Sequence, residues 1–231
     1  NRRDFLDKLL ITKTPRLAGV LSDFERVLKQ RNTLLRSRAP QSALTPWTEQ
    51  LVTFSSVITA ERIALVEQLN PLVTANYKEL NEVKIASLIY KSSIEALSTN
   101  QEANKKLIEE KLQELQYQEI ERGVTLVGPH RDDLILQLGE FPAKGYASHG
   151  ESWSFAISLK IGALELLKTQ GLDPILILDD VFAELDTNRR ARLVQATKLA
   201  EQTIVTAAVE GDLPADLNDQ RFHVSNGKVS K

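Results

Sequence analysis

Ile175-Leu176-Ile177-Leu178-Asp179-Asp180-Val181-Phe182-Ala183-Glu184-Leu185-Asp186 decides how this chain is read. Four consecutive branched aliphatic residues run from Pro174 into two adjacent carboxylates, and Asp186 follows six residues after Asp180. An unbroken apolar run of this kind predicts a strand buried on both faces, the habit of parallel sheets. Ligands of such sheets bind beyond the carboxyl ends of the strands, where Asp179 and Asp180 emerge. Two carboxylates there require a cation, and Mg²⁺ carrying phosphates is the common solution.

The 231 residues suit one large domain or two modest ones. No stretch approaches the roughly 18 to 20 apolar residues of a membrane span, and no signal-peptide pattern opens the chain. A membrane partner is therefore not expected. The absence of cysteine excludes disulfides and thiolate metal sites and is compatible with a cytosolic protein. The net charge of −2 gives no global attraction to nucleic acid. Charge is uneven, however. Residues 1–38 hold ten Lys/Arg against four Asp/Glu, a net of +6, while the remaining residues carry a net of −8. Arg26, Arg31 and Arg36 lie in this basic segment, which reads either as a polyanion-binding face or as a solvated helix surface. The chain also contains no methionine. The expectation is that Asn1 is not a translation start and that the chain is a fragment, a processed product or a designed sequence.

Residues 14–38 predict a helix: Thr14-Pro15 offers a cap and a first-turn proline, and Leu17, Val20, Leu21, Phe24, Val27 and Leu28 recur at helical spacing. Thr45-Pro46 predicts the cap of a second, longer helix that Pro71 kinks or breaks near Asn70. Residues 82–91 read as a strand, and 101–122 as an amphipathic helix closed by Gly123. Beyond it, 125–127 and 133–138 predict strands around Gly128-Pro129, with a hairpin connection over 139–144. Helices are expected over 151–168 and 187–200, strands over 175–180 and 203–207, and a final hairpin around Asn226-Gly227. The fold class is therefore α/β: a mainly helical arm over 1–122, and over 123–231 a lobe of mixed or parallel sheet with flanking helices.

Upstream of the acidic strand, Ser148-His149-Gly150-Glu151 leads directly into a helix. Free N–H groups and the helix dipole favour an anion at such a turn, and glycine allows close backbone approach. Alone, the turn is also what many ordinary helix starts look like, and an Asp-Asp pair alone also reads as a cap with a solvated partner. Together, Ser148–Glu151, Ile175–Asp180 and Glu184-Leu185-Asp186 resemble the signature motif, Walker B strand and D-loop of an ABC-type ATPase head, as in SMC and RecF proteins. The resemblance is to the RecF family of bacterial DNA replication and repair proteins. It extends to Arg2-Arg3-Asp4-Phe5-Leu6-Asp7, Gln30-Arg31-Asn32-Thr33-Leu34-Leu35 and Gly128-Pro129-His130-Arg131-Asp132-Asp133-Leu134. His130 and Arg131 read either as a structural turn or as phosphate contacts.

The resemblance implies that Asp179 helps hold the Mg²⁺ of ATP and that Asp180 orients the attacking water. It also implies that Ser148, Gly150 and Glu151 meet a nucleotide held by a second subunit, with Asp186 at the same interface. ATP then joins two heads into a homodimer. The implied role is ATP-dependent binding of DNA gaps and single-strand/double-strand junctions in the bacterial cytoplasm, with mediator proteins that help load a recombinase. Catalysis of this kind is mainly positioning and neutralisation of phosphate charge. Two other readings compete. One is a non-catalytic interaction module on a degenerate ATPase lobe. The other is a metal-dependent phosphohydrolase using Asp179 and Asp180, for which the three histidines show no ligand spacing.

Three departures qualify the resemblance. No Gly-x-x-x-x-Gly-Lys-Ser/Thr loop occurs, so the expectation is a chain lacking the lobe that cradles the phosphates, neither binding ATP tightly nor hydrolysing it alone. Its sheet then carries an exposed edge. Glu151 stands where the wider superfamily commonly has Gln. The strand at Thr203–Ala208 lacks the switch histidine of typical ABC ATPases, leaving the γ-phosphate sensor unassigned.

Overall fold

Forty residues, Gln41–Leu80, form a single helix against which most of the chain is built. The computed structural model describes residues 2–80, 83–183, 185–214, 217, 220–225 and 227–230. The order is α1 (Arg2–Lys13), α2 (Leu17–Arg36), α3 (Gln41–Leu80), β1 (Ala86–Lys91), α4 (Gln101–Arg122), β2 (Asp133–Leu138), β3 (Phe141–Pro142), a short turn α5 (Ala143–Tyr146), α6 (His149–Thr169), β4 (Ile175–Asp179), α7 (Thr187–Thr197), β5 (Gln202–Thr206), β6 (His223–Ser225) and β7 (Lys228–Ser230). The α/β class is as expected. Glu82, Glu184 and Asn226, which the sequence reading placed in a strand, the D-loop and a hairpin, lie outside the described residues.

Leu65, Leu69, Val73 and Tyr77 repeat every fourth residue of α3, and each is fully buried. This ridge packs on α6, where Phe155 meets Tyr77 with ring centroids 5.7 Å apart. Gly162 permits the approach: a Cβ there would come within 3.3 Å of the Val73 main-chain nitrogen. The ridge explains why, of the kink or break expected at Pro71, no break occurs. A proline inside a helix costs about 3 kcal/mol, whereas burying one large apolar side chain contributes roughly 1.5 to 3 kcal/mol, and four lie on this stripe. Asn70 and Thr74, flanking the proline, also fix it to β1. Asn70 Oδ1 accepts from Leu88 N at 2.7 Å, and Thr74 Oγ1 donates to Ala86 O at 2.7 Å.

Both expected threonine caps are displaced. Helix α3 begins at Gln41 after Pro40, and Thr45 lies inside it, its hydroxyl donating back to Gln41 O. Thr14 to Arg16 form a turn whose carbonyls receive Leu17 N and Ala18 N, and α1 precedes them in a segment that the sequence reading left without an element. Helix α4 ends as its sequence dictates, with Gly123 left-handed at φ +65° and its N–H donated to Glu119 O.

Three cores result. The first joins α1, α3, β1, β2 and α6; the second joins α2, α3, α4 and Val127; the third joins α6, β4, α7, Phe182 and Leu185. β1 pairs antiparallel with β2, with Ala86 opposite Leu138, so a sheet and a core span both sides of residue 122. β4 and β5 pair in parallel, with Asp179 opposite Thr206. β4 is not buried on both faces: Leu178 is 6% exposed but Ile177 is 64% and Ile175 56%. Helices α6 and α7 cover one side, and β5 is the strand hydrogen-bonded to it among the described residues.

Candidate functional site

Residues 125–127 are not a strand, because their polar groups are taken by side chains from distant helices. Thr125 N and Oγ1 both donate to Asn32 Oδ1, at 2.7 and 2.8 Å. Leu126 N donates to Glu119 Oε1 at 2.7 Å. Thr125 O accepts from His130 Nε2 at 3.1 Å and from Arg131 Nε and Nη2 at 3.2 and 2.9 Å. Arg31 completes the hub, donating to Thr125 Oγ1 at 2.8 Å and pairing with Glu119 at 2.7 Å, both side chains buried. Nearby, Arg62 grips Asp7 through two bonds of 2.8 Å and donates to Pro129 O at 2.7 Å. Arg2 pairs with Asp133, and Arg3 donates to the carbonyls of His130 and Asp132.

Arg31 is thus corrected from an open phosphate contact to a buried structural cation. Arg26 and Arg36 remain exposed on α2, Arg26 pairing with Asp23 at 2.8 Å. Burial holds the His130 imidazole down at about 4, opposed by its bond to Thr125 and reinforced by the neighbouring arginines. Burial also raises the Asp132 carboxyl, against the hydrogen bond it accepts from Tyr90 Oη at 2.6 Å.

Asp179 ends β4 and Asp180 follows with φ +51°, a left-handed conformation unusual for a residue with a side chain. Thr206 on β5 holds both. Its hydroxyl donates to Asp179 Oδ1 at 2.5 Å and accepts from Asp180 N at 3.2 Å, while its carbonyl accepts from the same N–H at 3.1 Å. Asp180 Oδ1 also meets Ala208 N at 3.4 Å. Thr206 was not singled out by sequence; its register opposite Asp179 is the signal that identifies it. The donor set fits a Mg²⁺ ion. Thr206 engages one oxygen of Asp179, and Mg²⁺ usually takes one or two carboxylates while keeping waters and phosphates. Among the described residues no three His, Cys, Asp or Glu side chains cluster as a full metal cage.

Ser148 caps α6 through a reciprocal box: its hydroxyl accepts from Glu151 N at 3.2 Å, and Glu151 Oε2 accepts from Ser148 N at 2.8 Å. Lys84 pairs with the same carboxylate at 2.7 Å. Lys84 first, then the Ser148 N–H, hold the Glu151 carboxyl down at about 2. The N-terminus of α6 therefore already carries a carboxylate where an anion binds. Trp153 donates to His149 at 3.0 Å rather than joining a core, whereas Trp47 packs on the second core.

Asp186 caps α7, accepting from Arg189 N at 2.9 Å. Arg189 also pairs with the Asp186 carboxylate and donates to Gly150 O at 3.0 Å and Ser154 Oγ at 2.8 Å. The structure therefore brings Asp186 and Gly150 together through an arginine that sequence reading did not select. Asp179 and Asp180 share no hydrogen bond or ion pair with Ser148, Gly150, Glu151 or Asp186 among the described residues; the α6 apolar face carrying Ile157 and Ile161 packs with Leu178 in the third core.

No family model matches the chain. Curated proteins named "DNA replication and repair protein RecF" do. The one from Streptomyces avermitilis is 47% identical over 242 residues, covering all of this chain and 65% of the relative. Those from Frankia alni and Cutibacterium acnes are 44% and 43% identical, each covering 99% of this chain and 64% of the relative. A solved structure of "the recombination mediator protein RecF-ATPrS in RecFOR pathway" superposes with a TM-score of 0.86 at 23% identity, over 99% of this chain and 62% of that one. The fold is therefore that of RecF structures. The match runs the length of the chain, at a coverage of 64 to 65% of these curated relatives, and this chain belongs to the RecF family.

Proposed function

We propose that the chain supplies the signature, Walker B and D-loop elements of a composite ATP site in a DNA-binding repair ATPase acting on gapped DNA. The observation that carries this reading is the Arg189 joint. It fixes the D-loop acid Asp186 to the first turn of the signature helix at Gly150. Two segments that would face a nucleotide on a second copy are thereby held as one surface.

In this reading Asp179 would hold a Mg²⁺ ion, which would supply neutralisation of phosphate charge when bound. Thr206 sets the Asp179 carboxylate and pins the Asp180 backbone, so that Asp180 holds a water in line. Aspartate reaches less far than glutamate, in keeping with slow hydrolysis. Ser148, Gly150 and Glu151 face the phosphates of the nucleotide held by the second copy. The Glu151 carboxylate at that turn is already offset by its ion pair with Lys84. ATP and Mg²⁺ are the cofactors of the complete site. DNA, a second copy and mediator proteins that assist recombinase loading are the partners. Exposed Arg26 and Arg36 are the phosphate contacts retained from the basic segment.

No P-loop spacing occurs in the sequence, so the chain alone neither binds ATP tightly nor turns it over. Titration calorimetry with Mg-ATP on the purified chain tests this, with a turnover assay beside it. Turnover at the level of a complete family member overturns the division of the site.

A further inference from the structure

A cavity of about 500 Å³ opens between the start of α1, the 131–133 segment and α5. Arg2, Arg3, Arg131, Asp132, Asp133 and Lys144 line it. The Arg2 charge is matched by Asp133. Among the described residues Arg3 and Arg131 donate to main-chain carbonyls, of His130, Asp132 and Thr125. A carbonyl orients a guanidinium without neutralising it. Lys144 is exposed, and no carboxylate pairs with it among the described residues. Asp132 is turned to the Tyr90 hydroxyl at 2.6 Å. Among the described residues Arg3, Arg131 and Lys144 thus form no ion pair with a carboxylate, and the four cations of the cavity outnumber its two aspartates.

A second, independent feature adjoins it. Phe141 and Tyr146 flank Lys144 in the chain and stack on each other, ring centroids 5.2 Å apart and planes 21° from parallel. They stay 56% and 66% exposed. Aromatic faces open to solvent beside surplus positive charge are the combination that binds single-stranded nucleic acid: bases stack on the rings and phosphates follow the cations. A duplex keeps its bases stacked inside and offers no face to such rings.

We propose that the cavity lined by Arg3, Arg131 and Lys144, with the Phe141–Tyr146 pair, is a single-stranded DNA site in which a phosphate enters the cavity and an unpaired base stacks on Tyr146. This rests on the DNA-binding reading above and adds a strand-specific site separate from Arg26 and Arg36. Being two residues before Ser148, it places the single strand beside the signature turn.

Fluorescence anisotropy tests it on the purified protein, with labelled oligothymidylate of about 20 nucleotides and a duplex of equal length. Tyr146→Ala weakens single-strand binding about tenfold, in line with the loss of one stacked base, and leaves duplex binding unchanged. Tyr146→Phe keeps most of it. Lys144→Ala, at an exposed side chain, lowers the salt slope by roughly 0.7 for one phosphate contact. Single-strand binding unaltered in both Tyr146→Ala and Lys144→Ala overturns the inference while leaving the DNA-binding reading intact. Binding of duplex alone does the same. Thymidine monophosphate binding as tightly as the oligonucleotide also overturns it, because the site then takes a mononucleotide. Binding of neither DNA form removes the DNA-binding reading itself.

Discussion

Arg189 donates to the carbonyl oxygen of Gly150 at 3.0 Å while its guanidinium pairs with Asp186. One side chain thus closes a link across 39 residues of sequence. Arg189→Ala leaves the Ser154 hydroxyl and the Gly150 carbonyl without this donor. It is expected to destabilise the protein by about 1 to 3 kcal/mol, measured by urea unfolding. Arg189→Lys restores a charge without the planar fork and falls between.

Thr206 is expected to matter out of proportion to its size. Thr206→Val keeps the shape but removes the donor to Asp179. In a chain that also carries the P-loop, turnover should fall by about tenfold with the Michaelis constant little changed, a loss of roughly 1.4 kcal/mol in the transition state. Thr206→Ser restores it. Steady-state ATPase kinetics on the two variants decide the point.

Arg31 and the pair Arg26/Arg36 should separate in experiment. Arg31→Ala strands the Glu119 carboxylate inside the hub and is expected to cost on the order of 3 to 5 kcal/mol of stability. Arg26→Ala/Arg36→Ala leaves the melting temperature in place and weakens DNA binding with a shallower salt slope. Thermal melts and filter binding, run together, distinguish the two roles.

His130 gives a pH signature. Its folded-state value lies at about 4, below the roughly 6.5 of an unfolded histidine. Below pH 6.5 the unfolded chain therefore binds the extra proton. The contribution is complete above pH 6.5 and is lost as pH falls toward about 4. The difference is on the order of 3 kcal/mol. His130→Gln should flatten that window in urea titrations, whereas a loss unchanged by the substitution assigns it to other groups.

Glu151 has the same sign at lower pH. Its carboxyl is held at about 2 by Lys84 and the Ser148 N–H, so its contribution is full above about pH 4.3 and is lost progressively as pH falls from there toward about 2. Glu151→Gln is expected to remove the pH dependence in this window and to favour phosphate at the α6 N-terminus, read as tighter inorganic phosphate binding by NMR shift.

The sequence makes legible those elements whose causes are local. Gly123 closes α4 because a left-handed cap needs glycine, and the apolar run at 175–178 is a strand with Asp179 at its carboxyl end. The placement of Ser148 at a helix start follows from its own box with Glu151. What stays hidden depends on partners far along the chain. Thr125 reads as strand because it is itself β-branched and lies among Val124, Leu126 and Val127, yet Asn32 and Arg31 claim its polar groups across as many as 94 residues, and Glu119 takes the N–H of Leu126. Pro71 reads as a break because the ridge that outweighs it exists only once α6 is packed. Arg31 and Arg36 look alike in sequence; Glu119 tells them apart.

Helix α3 has a mechanical consequence. Forty residues at 1.5 Å rise make a strut about 60 Å long. In its first half Leu51, Val52 and Ile58 are seated in the second core; near its C-terminus Glu79 and Asn76 are bound by Arg192 of α7, which Asp186 caps. No glycine interrupts the strut, and Pro71 lies where Asn70 and Thr74 tie the helix to β1. A tilt of one degree at the α7 end therefore carries the far end through about 1 Å. A small adjustment at the α7 end is thereby magnified at the opposite end of α3.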